Sequence, residues 1–165
     1  MKTHPRSHSV TAKTNSQKLG PGDYRPDGII LRPEDLPQPK LLQERREAPS
    51  APCPKCGQPA ARHRKCRRRL YDLGDLRSGR PCLLQVTYSQ HHCLTCRKYF
   101  NQDLSDLAVP KSLYTHRVQG LAVRLVIEDG LPYRTASWHL WRDQRVFVPF
   151  ATLQNWVEAG GKKGR

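Results

Sequence analysis

The stretch "HHCLTCRKYF" (residues 91–100) sets a Cys-x-x-Cys pair, Cys93 and Cys96, between two histidines and a Lys-Tyr-Phe run. Such a pair is a redox dithiol, half of a metal site, or a coincidence of spacing inside a strand. A second pair separates these readings. "CPKCG" (residues 53–57) holds Cys53 and Cys56, and 36 residues lie between the two pairs. Zinc takes four soft ligands at the corners of a tetrahedron, and each pair can supply two adjacent corners from one tight turn. A thioredoxin-like dithiol expects one pair beside a βαβ unit, and no crossover-helix pattern occurs here. Two structural disulfides would need an oxidising compartment. The expected ligands are therefore Cys53, Cys56, Cys93 and Cys96, with zinc as the cofactor. Lys55, Arg97 and Lys98 lie beside them in sequence, where cations offset the net charge of about −2 on a zinc tetrathiolate. Cys66 and Cys82 have no partner at metal spacing and read as small buried or edge residues. His63, His91 and His92 read as surface or phosphate-contacting residues.

Between the pairs, "RKCRRRLYDL" and "RPCLLQVTYSQHHC" read as two strands joined across "GDLRSGRP", whose glycines and Pro81 are turn formers. Leu84, Val86 and Tyr88 alternate with Gln85 and Thr87, the period of a half-buried strand. The pattern predicts a zinc ribbon over residues 53–103.

Charge points to the same segment. The chain has 165 residues and a formal net charge of +15. Residues 53–101 carry 11 basic and 2 acidic side chains, a net of +9, while residues 1–52 and 102–165 carry +3 each. A positive field this concentrated attracts polyanions, nucleic acid first. Arg62, Arg64, Lys65, Arg67, Arg68 and Arg69 place six cations in eight residues, more than solubility requires. They are the expected phosphate contacts.

Residues 1–52 show no sustained period, and eight prolines interrupt them. They read as a disordered basic arm, with one helical turn around Leu41 to Arg46. No run approaches the roughly 18 apolar residues of a membrane-spanning helix, and no signal peptide is evident. The expected location is a reducing cytosol.

Beyond a linker at 104–112 the period becomes helical. Tyr114, Val118, Leu121 and Leu125 form one stripe, closed by Asp129–Gly130. Pro132 suits a first helical position. Tyr133, Ala136, Ser137, Leu140 and Trp141 form a second stripe, and Phe150, Leu153 and Val157 form a third. Three short helices over 113–160, followed by a basic tail at 161–165, fit a helix-turn-helix domain. At 100° per residue, Thr152 and Asn155 point away from the third stripe, one turn apart, as base-reading residues should. Arg134 and Arg142 point away from the second stripe and can clamp phosphates. Trp138 lies on the same side and would mark a contact with another domain or a second copy.

These motifs, in this order, resemble the N-terminal zinc-finger and helix-turn-helix region of bacterial insertion-sequence transposases of the ISL-three type. The matching residues are Cys53–Gly57, Arg68–Leu73, Gly79–Pro81 and Cys93–Phe100, about 50 residues in all. The resemblance implies binding to double-stranded DNA at transposon ends, in a bacterial, nucleoid-associated setting. It also implies a ribonuclease-H-like catalytic domain with spaced acids. The acids of the last segment (Asp103, Asp106, Glu128, Asp129, Asp143 and Glu158) fall in linker or helix positions. The expectation is thus an α+β DNA-binding part without catalysis, working with a separate catalytic domain or as a homodimer. A zinc-ribbon protein that binds structured RNA or regulates transcription is the rival.

Overall fold

The computed structural model describes residues 37–163. Residues 1–36 of the arm expected over 1–52, and the last two residues of the basic tail, lie outside the described residues. The remainder is α+β: a mixed five-stranded sheet followed by three helices.

Two long strands carry the sheet. β3 (Pro59–Asp75) and β4 (Arg80–Cys93) pair antiparallel through Gly79, whose φ of +65° a tight turn favours in glycine. β1 (Lys40–Arg46) runs parallel to β4 on its other edge, β5 (Lys98–Asn101) continues that edge antiparallel, and β2 (Ser50–Pro52) flanks β3. Residues 40–52 therefore belong to the fold, and the helical turn expected at Leu41–Arg46 is a strand. The strand is held by its pairing with β4, and on one face Glu44 and Arg46 pair at 2.6 Å while Arg46 also binds Asp106 at 2.6 Å. The strand's inward side thus carries a neutralised ion pair where an apolar stripe would have announced it.

Register divides the sheet into two faces. Leu70, Leu84 and Val86 point to one, and Leu104 and Ala108 close over them. The segment 104–112, expected as a linker, is thus a lid on the sheet, and we call this the covered face. On the open face, residues 47–49 cross from β1 to β2. There the Ala48 amide donates to Ser89 Oγ at 3.0 Å, and that hydroxyl donates back to the Ala48 carbonyl at 3.1 Å. His91 is fully buried under the same crossing and stacks on Phe100 at 5.3 Å, so it is a core ring rather than a surface one.

The helices are α1 (His116–Ile127), α2 (Tyr133–Gln144) and α3 (Phe150–Lys163). Residues 161–163, expected in the tail, complete α3. Val118, Ala122, Ala136, Leu140, Val146, Val148 and Leu153 form their core. Trp138, expected to face outward, is half-buried. Tyr114 precedes α1 and forms a parallel bridge with Tyr71 of β3.

That bridge joins the two parts firmly. Thr115 caps α1 and donates its hydroxyl to the buried Asp72 carboxylate at 2.7 Å. Arg117 reaches the other Asp72 oxygen at 2.9 Å. Gly74 brings the end of α2 against the hairpin: a Cβ there would lie 2.6 Å from the Gln144 carbonyl oxygen. Only glycine permits that approach.

Candidate metal centre and cationic sheet face

The four predicted cysteines converge. Their sulfurs all lie within 4.8 Å of one another, and Cys56 Sγ stands 3.6 Å from Cys93 Sγ. A disulfide needs about 2.05 Å. Zinc–sulfur bonds of about 2.3 Å place tetrahedral corners about 3.8 Å apart, so the quartet has the dimensions of a metal cage. Each half is shaped by its own turn. The Gly57 amide donates to the Cys53 carbonyl at 2.8 Å, and the Cys96 amide donates to Cys93 Sγ at 3.4 Å. Cys53 and Cys93 are buried with Ala60, and Phe100 packs beside them.

Proton chemistry agrees with a cation site. The backbone N–H groups of Cys56 and Lys55 pull the Cys53 thiol down to about 7. Hydrogen bonding to the Cys56 sulfur, together with burial, pushes Cys96 up to about 12. A divalent ion among the four sulfurs would favour the thiolate form of both. Cys66 and Cys82 stand apart, on the covered face of β3 and β4, opposite Tyr88 and Asp72 respectively.

The basic strand is sorted by the sheet. Lys65, Arg67 and Arg69 point to the open face, opposite Ser89, Thr87 and Gln85. β1 adds Arg45, which is level with Thr87 and hence with Arg67 across three strands. Arg45 lies in the segment expected to be disordered, and no apolar alternation marks it. Arg45, Lys65 and Arg67 border a trough of about 530 Å³ whose other walls include Gln43, Gln85 and Glu47. Glu47 offsets part of the charge through Lys65 at 2.7 Å and Arg62 at 3.7 Å. The Lys65 hydrogen bond is the main cause that holds the Glu47 carboxyl below its usual range.

Two members of the predicted set face the other way. Arg64 lies on the covered face and donates to Gln90 Oε1 at 2.8 Å. Arg68, paired with Val86, donates to the carbonyls of Val109 at 3.0 Å and Ser112 at 2.6 Å. It fastens the lid and is not available to phosphate. A cation on a half-buried face needs carbonyl partners, and the lid supplies them.

Comparison with protein-family models, curated proteins and solved structures finds no match for this chain.

On the helices, Asn155 is exposed and Thr152 is half-buried. Arg134 lies over the Phe150 ring at 4.8 Å, and Arg142 binds Asp143 at 2.9 Å. Both arginines are thus engaged within the helical unit. α3 sits beside the open face through Tyr114. The Tyr114 ring meets Tyr71 at 5.7 Å and Trp156 edge-on at 5.4 Å, and its hydroxyl donates to the Phe147 carbonyl at 3.1 Å. No helix among the described residues is long and apolar enough to cross a membrane.

Proposed function

We propose that this chain binds double-stranded DNA, with zinc in the cysteine quartet and the open sheet face as its phosphate contact. The observation that carries the reading is the convergence of Arg45, Lys65, Arg67 and Arg69 on the part of one sheet face that the 47–49 crossing leaves exposed, in a chain with net charge +15. Phosphate contacts dominate affinity and are made by cations that can approach the backbone without being desolvated by their own fold. The sheet carries that face, and in this reading zinc ties together the two turns at its end.

In this reading α2 and α3 act as a helix-turn-helix, with α3 as the reading helix. Asn155 is its best-placed base contact, because an exposed Asn can pair bidentately with adenine. The Tyr71–Tyr114–Trp156 contacts support one continuous surface running from the sheet to α3. The order of motifs makes the N-terminal DNA-binding part of an ISL-three-type transposase the model for its role, at transposon ends in a bacterial cytoplasm. The role we assign it is binding. Among the described residues, the group of His, Cys, Asp or Glu side chains placed to share an ion is the cysteine quartet.

Competition at matched salt tests the proposal. Duplex DNA should displace RNA hairpins, and log affinity against log salt should have a slope near −5 or steeper, at about −0.9 per phosphate neutralised. Protein purified without added metal should carry about one zinc per chain. Preference for RNA hairpins would transfer the same surface to structured RNA. A slope shallower than about −2 would remove the phosphate reading altogether.

A further inference from the structure

Past the lid, the covered face carries a second surface that duplex binding leaves unused. β3 bulges between Arg62 and Arg64, and the extra residue, His63, brings its ring 4.9 Å from Tyr99 and 6.5 Å from His92. His92 and Tyr99, opposite each other on β4 and β5, stack at 4.4 Å with their planes 19° apart. The row lies open to solvent: Tyr99 is 55% exposed, and His63 is exposed as well. The neighbouring row is a ladder of hydrogen bonds, from Arg64 Nε to Gln90 Oε1 at 2.8 Å and from Gln90 Nε2 to Asn101 Oδ1 at 3.1 Å. Asn101 then borders a cleft of about 500 Å³ shared with Tyr88 and Gln102.

Three rings at the surface of a strongly cationic ribbon stabilise no core, yet a bulge and two strands bring them together. Unpaired bases offer what such a surface lacks. Every base has a π-face to extend a row of rings, and its phosphate answers the surrounding cations. The Gln90 and Asn101 amides in the neighbouring row suit base edges. In a duplex the base faces are hidden in the stack, so this chemistry selects single strands. We propose that the His63–His92–Tyr99 row and the adjoining amide ladder bind unpaired bases of single-stranded DNA. The choice of DNA over RNA rests on the duplex reading above; the selection of an unpaired strand does not.

The test compares two strands with equal phosphate charge, using the full zinc-loaded chain and fluorescence anisotropy. One is a thymidine oligomer of about 20 nucleotides, and the other is an abasic oligomer of the same length. The chain should bind the thymidine strand about 5-fold or more tighter, since stacking on an aromatic side chain contributes at least that much per base. Tyr99→Ala should abolish the difference while leaving the abasic affinity unchanged, and Tyr99→Phe should retain it. If Tyr99→Ala loses zinc, His63→Ala at the exposed bulge takes its place. Equal affinity for the two strands overturns the proposal, as does a preference that survives both alanine variants within twofold. Tighter binding of a uridine oligomer overturns the choice of DNA. Duplex affinity measured in parallel keeps the readings separate: its loss bears on the open face, and loss of the thymidine preference bears on the rings.

Discussion

The two ends of this molecule are held by different physics. At the helical end, seven buried apolar side chains interlock, and eight partly buried neighbours pack around them. At the cysteine end, the buried cluster is Cys53, Ala60 and Cys93, with Cys96 and Phe100 beside it. A strand with six cations in eight residues leaves almost nothing apolar to bury there. The difference teaches what a metal in the cysteine quartet would supply: sulfur–metal bonds would take over the cohesion that the basic strand's composition gives up.

Removing the metal should break this comparison most visibly. Apparent binding energies at structural zinc sites run to about 10–16 kcal/mol, and with zinc in the quartet that energy would be concentrated at one end. Chelation, or Cys93→Ser, should abolish amide-exchange protection in β2, β5 and the adjoining ends of β3 and β4, while α1 to α3 keep theirs. Uniform loss across the chain would show that the two ends do not differ. Acid should act like the chelator. The Cys53 thiol, held down to about 7, recovers its proton as pH falls through that value, and Cys96 must always surrender one to the metal. Zinc affinity should therefore weaken as pH drops from 8 to 6, about the range in which Cys53 titrates, with proton release on binding measurable by calorimetry in buffers of different ionisation enthalpy.

The reciprocal experiment deletes apolar volume. Leu140→Ala opens a hole in a fully buried site and should cost about 2–5 kcal/mol in denaturant unfolding. Zinc content should stay at its original stoichiometry. Loss of zinc from this variant would mean that the helical core supports the metal site directly.

The two ends were not equally legible in the sequence. The cysteine quartet could be read because metal geometry writes itself as spacing, and the three helices because burial writes itself as a 3.6-residue period. β1 was illegible for the opposite reason: Glu44 and Arg46 satisfy each other and Asp106 on its inner side, so only Leu42 in "KLLQERR" marks the buried face, too little for a pattern. Leu104 and Ala108 are too short a pattern to mark a lid, so residues 104–112 read as a linker. Arg67 and Arg68 look identical in sequence, and only pairing register shows that one faces solvent and the other the lid. The clamp from Asp72 to Thr115 joins residues 43 apart, a contact that no local pattern encodes.

That clamp sets how sharply the two ends are coupled. Thr115→Val keeps the shape of the side chain and deletes the hydroxyl that serves Asp72 and caps α1. A buried carboxylate loses a donor and the helix loses its cap, together about 2–3 kcal/mol. If the ends fold as one unit, a single unfolding transition should move to lower denaturant. If the clamp is what couples them, two transitions should separate, resolved by tryptophan fluorescence for the helices and by zinc release for the ribbon.

The smallest expected effect distinguishes neighbouring arginines on opposite faces. Arg67→Gln should remove about one phosphate contact, flattening the log–log salt slope by about 0.9 while leaving the unfolding midpoint in place. Arg68→Gln should do the reverse. Its guanidinium holds the Val109 and Ser112 carbonyls, so stability should fall by about 1–2 kcal/mol with the salt slope unchanged. Equal slopes for the two variants would mean that DNA takes no notice of which face a cation occupies, and the open face would lose its claim to be the binding surface. Opposite responses from adjacent residues of the same type are hard to obtain from net charge alone, because both substitutions change it by the same amount.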